Sequence, residues 1–371
     1  MSRLRSLDGL RGFAALAIVI WHWYFLIPHS AAQQGWTVQR EPFFWLLRLF
    51  YVQGWAAVDL FFSLSGFVFF WLYGETIRRH AIDGWSFALL RISRLYPLQL
   101  ATLLIVCLLQ VIFLKSQGHY FVFGHNDWAH FLAQLFMVQN WLPGSDVSFN
   151  GVNWSVSIEM FLYVVFFLAC RAGLRRRAHC FLMALVGALF LAWDENIARG
   201  IIGFFMGGFA FSLWDLWKDD TRATRITLGL GALAATGWGV LLFLIYRHGG
   251  WFARGDIHNL FILLFGFLLS PLTVLVLALR EYRKGASAAV FGFLGDISYA
   301  AYLLHFHMLL ILALVSLQFG WGTALLMQGW VLLAFLAGLI GLSALVHYHF
   351  ERPMQQLLRN GFSRRRAAVM T

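Results

Sequence analysis

Ten apolar stretches, each long enough to cross a bilayer, decide what this chain can fold into. They run approximately over residues 10–27, 54–73, 95–114, 152–170, 178–194, 198–217, 226–246, 258–279, 290–315 and 323–348. A hydrocarbon core of roughly 30 Å is covered by about 20 residues of helix. No water reaches the backbone there, so every stretch must close its hydrogen bonds within itself, as a helix does. An all-α, polytopic membrane fold is therefore expected, one integral membrane domain over residues 1–371 with no appended soluble domain and no sequence repeat. Composition agrees: 60% hydrophobic and 12% charged residues are too few polar groups to clothe a soluble globule.

The charges orient the spans. The net charge of +11 would suit a nucleic-acid binder, but the basic residues sit in short clusters between apolar runs, the pattern of cytoplasmic loops. With both termini cytoplasmic, only Arg40, Arg48, Lys115, Arg199, Arg247 and Arg254 of the 28 Lys and Arg fall on outer segments. The first run holds Asp8, Arg11 and His22 and ends Phe25-Leu26-Ile27-Pro28 without a small-residue cleavage site, so it reads as a retained span. Cys107, Cys170 and Cys180 suggest neither a disulfide framework nor a metal site. Gly203-x-x-x-Gly207-Gly208 and Gly229-x-Gly231 read as close-packing helix surfaces, and Glu351-Arg352-Pro353 as the end of the last helix.

Ionisable groups inside spans cost several kcal/mol and are functional candidates by default. Arg11 and His22 are 11 residues apart, which returns to nearly the same helix face about 16 Å further along. Gly12, Ala14, Ala15 and Ala17 between them leave room for a groove. His22, Asp59 in span two and Glu159 in span four all fall roughly 8–10 Å below the outer boundary. One imidazole and two carboxylates at one depth suit a general base with an orienting acid; plain helix-to-helix hydrogen bonds are the alternative. Ser155, Glu159 and Tyr163 recur every four residues and share a face. Arg91 and Arg94, at i and i+3 ahead of span three, can clamp phosphate oxygens bidentately or simply anchor the helix at the inner surface. His305 is mid-membrane, either functional or satisfied by a neighbouring helix. The i, i+2 pairs His305/His307 and His347/His349 point to different faces, against metal binding.

These residues carry a resemblance. Leu7-Asp8-Gly9-Leu10-Arg11-Gly12 with His22, Asp59 through Phe67, Arg91-Ile92-Ser93-Arg94, Trp154 through Glu159, Ile297-Ser298-Tyr299 through His305, and Glu351-Arg352-Pro353 follow in the order found in the acyltransferase-3 family of bacterial integral membrane acyltransferases. Met160 stands where the family often has a second acid. The resemblance implies a multi-pass enzyme of the bacterial inner membrane. It would transfer an acyl group, usually acetyl, from cytoplasmic acyl-coenzyme A to a hydroxyl of a sugar or glycan such as exopolysaccharide, lipopolysaccharide or a lipid-linked precursor. No metal is implied. It places the essential histidine at His22 and donor-binding arginines at Arg11, Arg91 and Arg94. Glu159 is the expected orienting acid, with Asp59 second; whether His22 is the base or carries the acyl group stays open. A transporter or flippase of lipid-linked sugar is the alternative, and would need no inner arginine clamp.

Overall fold

The computed structural model describes residues 4–27, 36–142, 147–249, 252, 255–284 and 289–369. Helices dominate and no strand occurs among the described residues. Nine helices there are long and apolar enough to cross a membrane. The tenth expected span corresponds to the shorter apolar helix Arg177–Ala192, joined by a tight turn to the long helix that follows and packed along it.

In chain order the elements that matter are α1 (Arg5–Trp21), α2 (Phe44–Gln53), α3 (Ala57–Phe69), α4 (Gly84–Gln117), α5 (Trp128–Leu135), α6 (Trp154–Arg171), α7 (Arg177–Leu189), α8 (Glu195–Trp217), α9 (Ala223–His248), α10 (Gly255–Leu264), α11 (Ser270–Lys284), α12 (Ala289–Gln318), α13 (Gly329–Val346) and α14 (Arg352–Val369). Asp83 caps α4 by accepting the Ser86 amide at 2.8 Å, and Asp194 caps α8 by accepting the Ile197 amide at 2.9 Å. The first cap starts α4 two turns before Arg91, so the arginine pair rides on the third span rather than in the loop ahead of it.

Two glycine-mediated approaches organise the bundle. A Cβ on Gly66 would overlap the Phe204 carbonyl and one on Gly207 the Ser63 carbonyl, so α3 and α8 meet backbone to backbone. In the same way Gly12 of α1 meets Leu294 and Gly295 of α12, and Gly295 meets the Asp8 carbonyl. Gly203 and Gly208 also pack as expected, against Phe62 and Phe70. Gly229 and Gly231 do not: a side chain at either would meet open space or only ordinary contact, because α9 lies at the periphery with Leu228, Leu233 and Phe243 exposed.

The last span departs from expectation too. Pro353 does not stop the chain. A wide turn over His347–Glu351 leads directly into α14, and the helix continues to Val369. Proline removes one amide donor and crowds the carbonyl four residues back; a wide turn at that point relieves the crowding and lets the helix run on. The consequence is that α14 leans against α4.

Candidate active site

A cavity of about 200 Å³ opens among α1, α3, α4, α6, α12 and α14. Its lining includes Arg11, Arg91, Arg94 and Arg359, and a single carboxylate, Glu159. The helices grade it from end to end. Arg94 and Arg359, both exposed, stand at its mouth, while the buried Ser155 and Tyr302 close its far end. Ser155, Glu159 and Tyr163 all line it, as their four-residue spacing requires.

Each charged side chain is held differently. Arg91 is buried in an aromatic box, 4.9 Å from the Phe69 ring centre and 4.8 Å from that of Tyr73, with Phe87 and Tyr163 further out. It donates to the Tyr73 hydroxyl at 2.7 Å, and its buried Nε has no partner among the described residues. Arg94 makes no ion pair or hydrogen bond among the described residues. Arg11 is paired with Asp8 at 3.3 Å, one turn back on α1. Glu159 uses one oxygen, Oε1, to accept from both Ser65 (2.9 Å) and Tyr163 (2.6 Å). Four arginines around one lining carboxylate repel one another, and such a group is stabilised by an anion with several oxygens.

Directly beyond the closed end lies a pair of histidines. His22 sits where α1 gives way to the tight turn His22–Leu26, and its ring is 3.1 Å from His305 of α12, nitrogen to nitrogen. Both are buried, and Trp21 and Phe25 flank the His22 ring at 4.6 and 4.8 Å. The partners assign the tautomers. The Tyr302 carbonyl can only accept, so His305 Nδ1 carries hydrogen and donates to it at 2.6 Å. In the neutral ring His305 Nε2 is then an acceptor, and it takes the hydrogen of His22 Nδ1. His22 Nε2 is left with its lone pair. Tyr302 joins the two halves: its carbonyl fixes His305 while its hydroxyl meets Ser155 (2.7 Å) and the Val152 carbonyl at the end of the cavity.

The expected alignment of His22 by an acid is therefore corrected. Neither Glu159 nor Asp59 bonds to His22. Glu159 is engaged by α3 and by its own helix. Asp59 is engaged by Arg199 of α8, Nε to Oδ1 at 2.9 Å, with both side chains almost fully buried. Arg199 also donates to the Trp55 carbonyl at 3.1 Å and lies against the rings of Trp55 and Trp154 at 4.5 and 5.2 Å. Arg199, counted with the outer segments from sequence, is buried in the bundle, where the Asp59 carboxylate holds it. A helix position fixes the depth of a side chain, but neighbouring helices decide what it faces. His305, left undecided from sequence, is the residue that actually meets His22.

Two other features lie apart from this column. A larger groove of about 590 Å³ between α8, α9, α10 and α11 is lined by apolar side chains such as Met206, Leu230, Val240 and Phe265 and holds no titratable group. Glu41 is buried ahead of α2 with Oε2 unpartnered among the described residues, and burial pushes its carboxyl up to about 8.

Comparison with known proteins covers nearly the whole chain. The model of an acyltransferase domain family matches residues 4–348. The acyltransferase MdmB of Streptomyces mycarofaciens is 28% identical, covering 96% of this chain and 92% of its own length. A putative acetyltransferase, ORF330, of Acidianus two-tailed virus is 26% identical over 84% of this chain and 85% of its own. The O-acetyltransferase OatA of Staphylococcus aureus is 24% identical over 82% of this chain, which spans 50% of that protein. No solved structure matches.

Proposed function

The chain belongs to this acyltransferase family, a membrane-embedded O-acyltransferase, and from that premise we propose that it moves an acyl group, acetyl in the first instance, from cytoplasmic acyl-coenzyme A to a hydroxyl of a sugar or glycan. The observation that carries the reading is the column itself: an arginine-lined cavity closed at Tyr302, and directly beyond it an imidazole pair that the Tyr302 carbonyl holds. Arg11, Arg91 and Arg94 bind donor phosphates, Arg91 with its aromatic box keeping the guanidinium plane fixed. The pantetheine arm runs up past Arg11 and Glu159, and Tyr302 and Ser155 give way to let the thioester reach His22.

His22 Nε2 takes the proton of the acceptor hydroxyl as that oxygen forms its bond to the thioester carbon. The tetrahedral intermediate collapses, the carbon–sulfur bond breaks, and the thiolate leaves with the proton returned from His22. Ester and free thiol are the products. While His22 is an imidazolium, both its nitrogens donate, and His305 Nε2 receives the inner one. His305 is thus a positioning residue that also shares the transient charge. Glu159, beside Arg11, sets the charge of the cavity; Asp59 with Arg199 holds α3 to α8. The bacterial inner membrane, with the donor side cytoplasmic, is the setting this assignment requires.

The test is mass spectrometry of surface glycans from a bacterial host carrying either the wild-type chain or His22→Ala at equal membrane abundance. A glycan heavier by one acetyl group with the wild type alone supports the reading. Equal acylation in both, or none in either, refutes it.

A further inference from the structure

Of the four arginines that line the cavity, three come from the segments first suspected. The fourth, Arg359, comes from α14, beyond the residues 4–348 that the family model matches. It is there because the chain stays helical past Pro353 and α14 packs on α4. Its Nε lies 3.4 Å from the hydroxyl of Ser93, a buried residue between Arg91 and Arg94 on α4. That contact turns the Arg359 guanidinium toward the other two at the mouth of the cavity, where it remains exposed.

The cavity gathers Arg91, Arg94 and Arg359 around Ser93, and the nucleotide end of a coenzyme A thioester likewise carries phosphates in two neighbouring places, the diphosphate and the ribose 3′-phosphate. The thioester end of the donor goes deepest, toward Tyr302 and His22. Its diphosphate lies against Arg91 and Arg94 on α4. The ribose 3′-phosphate, beside it, faces α14. We propose that Arg359 binds this 3′-phosphate, so that α14 completes the donor site and gives it selectivity for coenzyme A over donors lacking that group. The inference rests on the reading of the donor as an acyl-coenzyme A. A planar guanidinium suits this role because it meets two phosphate oxygens at once, which an ammonium group does not.

The experiment uses the full chain in lipid nanodiscs and titrates acetyl-coenzyme A and its 3′-dephospho form calorimetrically against the wild type, Arg359→Gln and Arg359→Lys. Equal thermal unfolding of the three proteins establishes that each is folded. The wild type should prefer acetyl-coenzyme A by about 10-fold, the size of one charge-assisted contact. Arg359→Gln should lose that preference by weakening acetyl-coenzyme A alone, and Arg359→Lys should keep part of it. An unchanged preference in Arg359→Gln, or equal weakening of both nucleotides, overturns the assignment to the 3′-phosphate. If the wild type binds neither nucleotide, the donor reading itself falls; if it binds both and only the preference is wrong, the donor reading stands and this inference alone fails.

Discussion

Two buried polar pairs cross between helices of the bundle, and they are built on opposite plans. Asp59 and Arg199 neutralise each other: a 2.9 Å ion pair, a Trp55 carbonyl, Glu195 at 3.5 Å and two indole faces take up the guanidinium, while Asp59 Oδ2 stays buried without a hydrogen-bond partner among the described residues. His22 and His305 form a chain instead: carbonyl, imidazole, imidazole, and then a ring nitrogen with no donor among the described residues. Both pairs are equally buried and equally expensive to place in a membrane. Cost alone therefore does not mark a catalytic group. What separates the two is the chemistry of the atom left over: Asp59 Oδ2 belongs to a carboxylate whose charge Arg199 already neutralises, whereas His22 Nε2 is the basic nitrogen of a ring with no counter-ion beside it among the described residues.

Substitutions sharpen that contrast, the largest effect first. His22→Ala should lower acyl transfer by about 10²–10⁴-fold, the usual value of a positioned general base, with thermal stability little changed. His22→Gln should fail as well, since an amide does not take up the proton. A transfer assay at matched membrane abundance reads both, and substantial activity in either would erase the distinction between the pairs.

Arg199→Ala should do the reverse. It strands Asp59 in a water-poor interior and should cost about 3–5 kcal/mol of stability, seen as a lower unfolding temperature in nanodiscs. Replacing both partners, Asp59→Leu with Arg199→Met, should recover most of the loss, because the pair's worth lies mainly in mutual compensation. A double variant as unstable as the single would mean that the charges themselves are needed.

Arg91→Ala and Arg94→Ala should each weaken acetyl-coenzyme A binding by about 10-fold. Arg→Lys should rescue only partly for lack of the planar fork. Arg91→Ala should also loosen the Phe69, Tyr73 and Tyr163 cage, so a drop in stability is expected there and not for the exposed Arg94. Unchanged calorimetric affinity in both would reduce the pair to membrane anchors.

The smallest effect is set by pH. Glu41 is protonated in the folded protein up to about 8, against an ordinary value of 4.5. An acid whose folded value is raised contributes fully below its unfolded value and loses stability as pH climbs between the two. Unfolding temperature should thus fall from near pH 4.5 toward pH 8, and Glu41→Gln should flatten that slope. A slope that is the same with and without Glu41 would assign it to other groups.

Much of this was legible in the sequence. Hydropathy and charge placed the spans, since a bilayer demands long apolar helices whatever they pack against. The four-residue recurrence of Ser155, Glu159 and Tyr163 placed them on one cavity wall. What was not legible was azimuth. His22, Asp59 and Glu159 share a depth, but depth does not choose neighbours. The choice is made by glycines. Gly12 and Gly295 bring α1 and α12 into backbone contact, and each lies ten residues before a histidine. Parallel helices rising about 1.5 Å per residue from one contact reach the same height after equal steps, so His22 and His305 meet although 283 residues separate them. That equal spacing was visible and unused. Arg359 left no such trace, because its place depends on a helix continuing through a proline.

The central claim is that His22 reacts and His305 positions it, and one double-mutant cycle tests it most directly. Acyl transfer would be measured for wild type, His22→Gln, His305→Ala and the double variant at matched abundance, with kcat and KM for acetyl-coenzyme A resolved. The account predicts that His305→Ala lowers kcat by about 10–10²-fold with KM little changed, as for a residue acting only in the transition state. It predicts further that the double variant is no worse than His22→Gln alone, since the two histidines act as one unit. Full activity in His305→Ala, or losses that simply multiply in the double variant, would contradict it.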